Sequence, residues 1–121
     1  MLPGSGFSQT LTFASRFENG SGTNPEELIG AALSGCFSMA FSLMLGEAGY
    51  TPEHIESQAN VTIEQQGEGF AITRIGLSTY GTVPGIDAAT FEETARAAKE
   101  GCPVSKALAG TTIELEKAEL R

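Results

Sequence analysis

Two cysteines, one histidine and seven basic residues are the scarce reactive groups of this 121-residue chain. Cys36 sits inside a long uncharged stretch, and Cys102 lies between Gly101 and Pro103. Free cysteine behaves as a small buried hydrophobe, so both could be inert structural thiols. Cys102 has a sharper reading, because the residue before a helical proline is a cap position where the N-terminal partial charge favours thiolate. Cys36 has no such help. A mid-helix thiol in apolar surroundings keeps its proton, so Cys36 as a nucleophile needs a cation brought from elsewhere. Arg16 is the candidate, at the end of an aromatic-rich strand between Phe13 and Phe17 and one loop before the helix that carries Cys36. Its plainer reading is a solvated strand-end arginine. Arg74, Arg96, Lys99, Lys106, Lys117 and Arg121 fall on wet faces or late in the chain. Glu26 and Glu27 suit a helix N-terminus, and a carboxylate there can also hold an arginine through a bidentate pair. Ten residues of helix between Glu26 and Cys36 amount to about 15 Å. If both serve one site, the carboxylate and the arginine come from a second subunit across a two-fold axis. His54 reads as solvated or structural, and no nucleophile elbow, phosphate loop or dinucleotide fingerprint is present.

The elements that position these groups follow from periodicity. Phe7, Leu11, Phe13 and Phe17 share the odd phase of a strand. Asn24, Pro25 and Glu27 make a helix start, with Asn24 as the cap. From Leu28 to Leu45 no charge interrupts the helix, about 27 Å that nearly matches a bilayer core. Acidic flanks and the lack of a basic end argue against a membrane span. A helix apolar all round is a buried central helix, and in so short a chain a partner subunit is one way to bury every face, so a homodimer is expected. Gly30, Ser34, Ser38 and Ser42 form a small-residue stripe that would let another helix approach. Phe37, Met39, Phe41 and Met44 read as core, or as an apolar pocket beside the thiol. Ala59, Val61 and Ile63 begin a hairpin turned at Gly67 and Gly69, with a bulge near Thr73 and Arg74 where the apolar phase changes. Asp87 caps a second helix with Ala88, Phe91, Ala95 and Ala98 inward, Glu92 and Arg96 pair on its wet face, and Gly101 ends it. Pro103 starts a short helix through Leu108, and Thr111 to Ala118 is a last strand.

Length and composition fit one domain over residues 1–121. A net charge of −8 disfavours nucleic acid and anionic membrane surfaces as partners. Two cysteines and one histidine are too few for a four-ligand zinc site or a secreted disulfide scaffold, and no cofactor is implied. The N-terminus does not read as a secretory signal, so a cytoplasmic location is expected.

The run RFENGSGTNPEELIGAALSGCFSMAFSLMLGEAGYTP and the later stretch GFAITRIGLSTYGTVPGIDAATFEETARAAKEGCPVSKAL strongly resemble the OsmC family of osmotically inducible, peroxiredoxin-like proteins. The arginine shortly before TNPEEL is closer to that branch than to the sister organic hydroperoxide resistance proteins. The resemblance implies an α+β fold, with an antiparallel sheet packed on a long buried central helix in an intertwined homodimer. It also implies a thiol peroxidase acting on organic hydroperoxides, and less well on hydrogen peroxide. By position, Cys36 would be the peroxidatic thiolate, Cys102 the resolving thiol, Arg16 the cation that lowers the thiolate pKa, and Glu26, rather than Glu27, the carboxylate that orients it. A Cys36 sulfenic acid would condense with Cys102 to a disulfide that an external dithiol resets. Family members usually carry another N-terminal strand pair, for which Met1 to Gln9 is short and weakly matched. That leaves a late-start form or an unusual member, with consequences for dimer exchange, activity and strand edges. The rival expectation is a non-enzymatic dimeric binding or scaffold protein with inert buried thiols.

Overall fold

The computed structural model of the protein describes residues 24–121. The expected strand from Phe7 to Phe17, Arg16 included, lies outside them.

Helix α1 spans Pro25–Glu47. Its start is built locally: Asn24 Oδ1 accepts the Glu27 N–H at 2.8 Å and Pro25 fills the first turn. Gly49, at φ +96°, then turns the chain away, a backbone state that glycine adopts without strain. Gly30, Leu33, Phe37, Phe41 and Leu45 form the buried face of α1. Met39 and Leu43, on the other side, are 76% and 65% exposed, so within one chain the helix is not buried all round as expected. Among the described residues one sheet and two further helices are available, and they cover a single face. By length and composition α1 could cross a bilayer, and 28% of its apolar window is buried within the chain. The small-residue stripe meets a strand instead of a helix. A Cβ at Gly30 would lie 3.2 Å from Val61 Cγ2, and Ser38 Oγ donates to Ser57 Oγ.

Strands β1 (His54–Gln66) and β2 (Gly69–Thr82) form the antiparallel hairpin. Gln66 faces Gly69 across a turn in which Gly67 takes φ +62°. Thr62 pairs with Arg74 but Ile63 with Ile72, which leaves Thr73 as the extra residue of the expected bulge. Helix α2 (Ala88–Gly101) is capped by Asp87, whose Oδ1 accepts the Thr90 N–H at 3.2 Å. Its Phe91, Ala95 and Ala98 are buried, whereas Ala88 is exposed. Arg96 and Glu92 pair at 2.8 Å. The short helix α3 (Pro103–Ala107) leads to β3 (Thr112–Leu120).

The sheet order is β1-β2-β3, and β3 runs parallel to β2, which corrects the expectation of a wholly antiparallel sheet. Helices α2 and α3 between them carry the chain back to the end where β2 began, the connection that parallel neighbours require. The architecture is α+β, with helices on a small mixed sheet. Its core is an aromatic chain. The rings of Phe37 and Phe41 are 5.6 Å apart, and Phe41 meets Phe91 edge-on at 5.0 Å.

Gly81 of β2 lies beneath that chain: a Cβ there would sit 2.8 Å from both Phe91 Cε1 and Ile55 Cδ1. Because Phe91 is fully buried, it has no free direction in which to yield. Gly81→Ala is therefore expected to destabilise the fold by about 1–3 kcal/mol, measured as a lower midpoint in urea unfolding.

Candidate active site

Three elements bring the two thiols together. Cys36 is on α1, one residue before the buried Phe37, so the packing of that ring sets the direction of the sulfur. Cys102 is the joint of the other two, the C-cap of α2 and the N-cap of α3. Its N–H donates to Ala98 O at 3.0 Å and its carbonyl accepts the Lys106 N–H at 3.1 Å. The cap position expected for Cys102 is the one observed. Cys36 Sγ and Cys102 Sγ stand 2.7 Å apart, and both cysteines are free.

Their surroundings differ. Cys102 is fully buried, whereas Cys36 is half-buried and opens on an apolar groove of about 760 Å³ that it lines with Ala32, Gly35, Met39, Leu43 and Pro103. Burial, together with the hydrogen bond to Cys102, pushes the Cys36 thiol up, against a smaller opposing effect of the Val104 N–H. Burial also opposes ionisation of Cys102, but the proximity of Cys36, Ser105 and Val104 favours the charged form and leaves that thiol below its usual range. Each sulfur shifts the other, so the two thiols ionise as a pair and not independently.

No basic side chain among the described residues acts on the Cys36 sulfur. Arg74 is held by Glu114 and Glu116 at 2.8 Å each, and their hydrogen bonds push its pKa further up. Lys99 Nζ reaches Ile113 O at 3.2 Å, and Arg121 lies 3.9 Å over the Tyr80 ring. Glu26 is 8% exposed in the first turn of α1, in a small cleft with Asn60 and Val61 of β1. About 15 Å of helix rise separates it from Cys36, as the spacing implied. Glu27 is exposed, and so is His54, 3.9 Å from Glu56. The structure thus joins Cys36 to Cys102 and leaves Glu26 apart, while Arg16 is outside the described residues. Among the described residues no group of three or more His, Cys, Asp or Glu is placed to hold a metal ion.

The OsmC-like protein family model matches residues 18–116, most of the chain. The chain belongs to that family. It is 57% identical over 100 residues to peroxiredoxin OsmC of Escherichia coli strain K12, a match covering 83% of this chain and 70% of that one. To organic hydroperoxide resistance protein OhrB of Bacillus subtilis strain 168 it is 32% identical over 101 residues, covering 82% and 72%. The crystal structure of Bacillus subtilis OhrB superposes with a TM-score of 0.66 at 29% identity, over 85% of this chain and 73% of that one.

Two features of this family member's site carry no sequence signal. One is a hydroxyl chain from α1 into the sheet. Ser38 Oγ donates to Ser57 Oγ at 2.7 Å, Ser57 Oγ to Thr79 Oγ1 at 3.0 Å, and Thr79 Oγ1 to Glu56 O at 3.2 Å. It holds α1 in rotation two residues from Cys36. The other is Ser105, buried one turn beyond Cys102.

Since the hydrogen bond from Cys36 is one of the forces holding the Cys102 thiol down, Cys36→Ala is expected to move Cys102 ionisation to higher pH than the first ionisation of the intact pair. The growth of thiolate absorbance near 240 nm with pH measures it; an unmoved or lower midpoint would contradict the coupling.

Proposed function

We propose that this protein is a thiol-dependent peroxidase that reduces organic hydroperoxides, and hydrogen peroxide less well. The observation that carries this reading is a pair of free sulfurs 2.7 Å apart, of which only Cys36 faces an apolar groove. A hydroperoxide with a hydrocarbon tail fits that groove, since Met39, Leu43 and Ala32 offer it apolar contact and the peroxide end meets the sulfur. The names of the relatives, a peroxiredoxin and an organic hydroperoxide resistance protein, support the same chemistry.

In the proposed cycle the Cys36 thiolate attacks the distal peroxide oxygen. An S–O bond forms, the O–O bond breaks, and the alkoxide leaves as alcohol after taking a proton. Cys36 is then a sulfenic acid. The Cys102 sulfur attacks it, expelling water and closing a Cys36–Cys102 disulfide. A hydrogen-bonded, low-lying Cys102 thiol suits that second role. An external dithiol returns two electrons and two protons. Burial alone works against Cys36 as the first thiolate, so the cycle needs a cation beside it. Arg16 is proposed for that role, oriented by Glu26. The exposed Met39 and Leu43 support a second copy of the chain lying along α1 in a homodimer, whose Arg16 and Glu26 would reach across the two-fold axis. The dithiol requirement suits a cytoplasmic setting.

One equivalent of cumene hydroperoxide is expected to remove both titratable thiols and to yield one intramolecular disulfide by mass spectrometry. An unchanged thiol count would instead indicate a scaffold with inert cysteines.

Arg16→Ala is expected to slow peroxide consumption at pH 7 by about tenfold or more, with the loss shrinking at alkaline pH as the thiolate forms without help. Mixing Arg16→Ala with Cys36→Ser chains should restore activity if the arginine crosses between subunits; mixed dimers without recovery would place it in the same chain as its sulfur.

A further inference from the structure

Ser105 is the buried polar group that the peroxide-reducing steps leave unused. It lies on α3 one turn beyond Cys102, is 8% exposed, and its Oγ has no hydrogen-bond partner. A buried hydroxyl without a partner is costly, so such groups in native structures call for an explanation. The explanation is at hand in Cys102, three residues earlier at the head of the same short helix. The Cys102 side chain makes no cap hydrogen bond at the head of that helix, and Ser105 is near enough to favour the charged form of its sulfur. A neutral thiol is a weak acceptor, which leaves the hydroxyl loosely engaged, whereas a thiolate is a strong one.

We propose that the Ser105 hydroxyl donates to the Cys102 sulfur when that sulfur carries charge, making Cys102 the leaving group when a dithiol reopens the Cys36–Cys102 disulfide. Ser105 is thus a thiolate-stabilising residue for the reductive half of the cycle, an assignment that rests on the redox reading above. Exposure points the same way. The Cys102 sulfur is fully buried, while Cys36 faces the groove, so an incoming thiolate reaches Cys36. One thiolate of the dithiol attacks Cys36 Sγ; a mixed disulfide forms, the protein S–S bond breaks, and its electron pair departs on Cys102 as thiolate, to which the Ser105 hydroxyl donates a hydrogen bond. The second thiol of the dithiol then attacks the reductant's own sulfur in the mixed disulfide, releasing Cys36 and leaving the reductant as a cyclic disulfide. A lower leaving-group pKa speeds such exchange.

The other titratable or charged groups around this corner are Cys36 of α1, Lys99 and Glu100 at the end of α2, and Lys106 of α3; the last three line a cleft of about 290 Å³ with Ser105, which β3 closes with Ile113. Lys99 is turned away to Ile113 O, which leaves the hydroxyl as the neutral donor to test.

The test needs no peroxide. In the Cys36→Ala background, adding Ser105→Ala is expected to raise the midpoint of Cys102 thiolate absorbance by about one unit, a tenfold change in acid strength, while Ser105→Thr keeps it low. In chains with both cysteines, oxidised with diamide, Ser105→Ala should slow reopening by dithiothreitol several-fold and Ser105→Thr should not. Brief treatment of the oxidised protein with N-acetylcysteine, acid quenching and peptide mapping should place the mixed disulfide on Cys36. An unmoved midpoint in a Ser105→Ala chain whose circular dichroism is intact, or a mixed disulfide on Cys102, would overturn the proposal. A protein that shows the Ser105 effects but consumes no hydroperoxide would sink the peroxidase reading alone.

Discussion

The rotation of α1 against the corner between α2 and α3 is the constraint on which everything else hangs. A helix turns by about 100° per residue, so a slip of one position would swing Cys36 away from Cys102. Two kinds of contact oppose the slip. Phe37 and Phe41, four residues apart, lock into the aromatic chain that ends on Phe91 of α2. Ser38 fixes the adjacent face through hydroxyls that end on the Glu56 carbonyl of β1. The rings supply most of the stabilisation, and the hydrogen bonds, with their narrower geometry, supply direction.

Among the described residues, charge is scarce beside the two thiols and plentiful elsewhere. On a chain of net charge −8, Arg74 and Arg96 are paired with carboxylates on outward faces, remote in role from the thiols. Among the described residues, the groups that bear on the sulfur pair are the two thiols themselves and uncharged neighbours on α3, whose short-range effect salt screens little. That division leaves the groove beside Cys36 apolar.

What could be read from the sequence was what local chemistry decides. Asn24, Pro25 and Glu27 announce the start of α1 because capping is settled within four residues, and the change of apolar phase around Thr73 betrays the bulge because a strand alternates strictly. The direction of β3 was not legible, since its own pattern is the same whichever way it runs and the crossover through α2 and α3 decides. Nor does a small-residue stripe say whether a helix or a strand will lie on it; Gly30 and Ser38 turned out to meet β1. The extent to which the described residues cover α1 was not legible, because apolar composition reports what a helix would bury and not which elements lie against it. The meeting of the two cysteines, 66 positions apart, followed from the family resemblance and from no spacing rule. Ser105 had no signal at all, because a serine in a short polar helix is ordinary until its hydroxyl is found buried beside a sulfur.

Cys102 belongs to two helices at once, its N–H committed to Ala98 and its carbonyl to Lys106, with the rigid ring of Pro103 behind it. The backbone at that joint has no slack, and the sulfurs already stand closer than two unbonded atoms of that size normally rest. If the pair cycles between dithiol and disulfide as proposed, the bond would form at this joint with little movement of the described backbone around it.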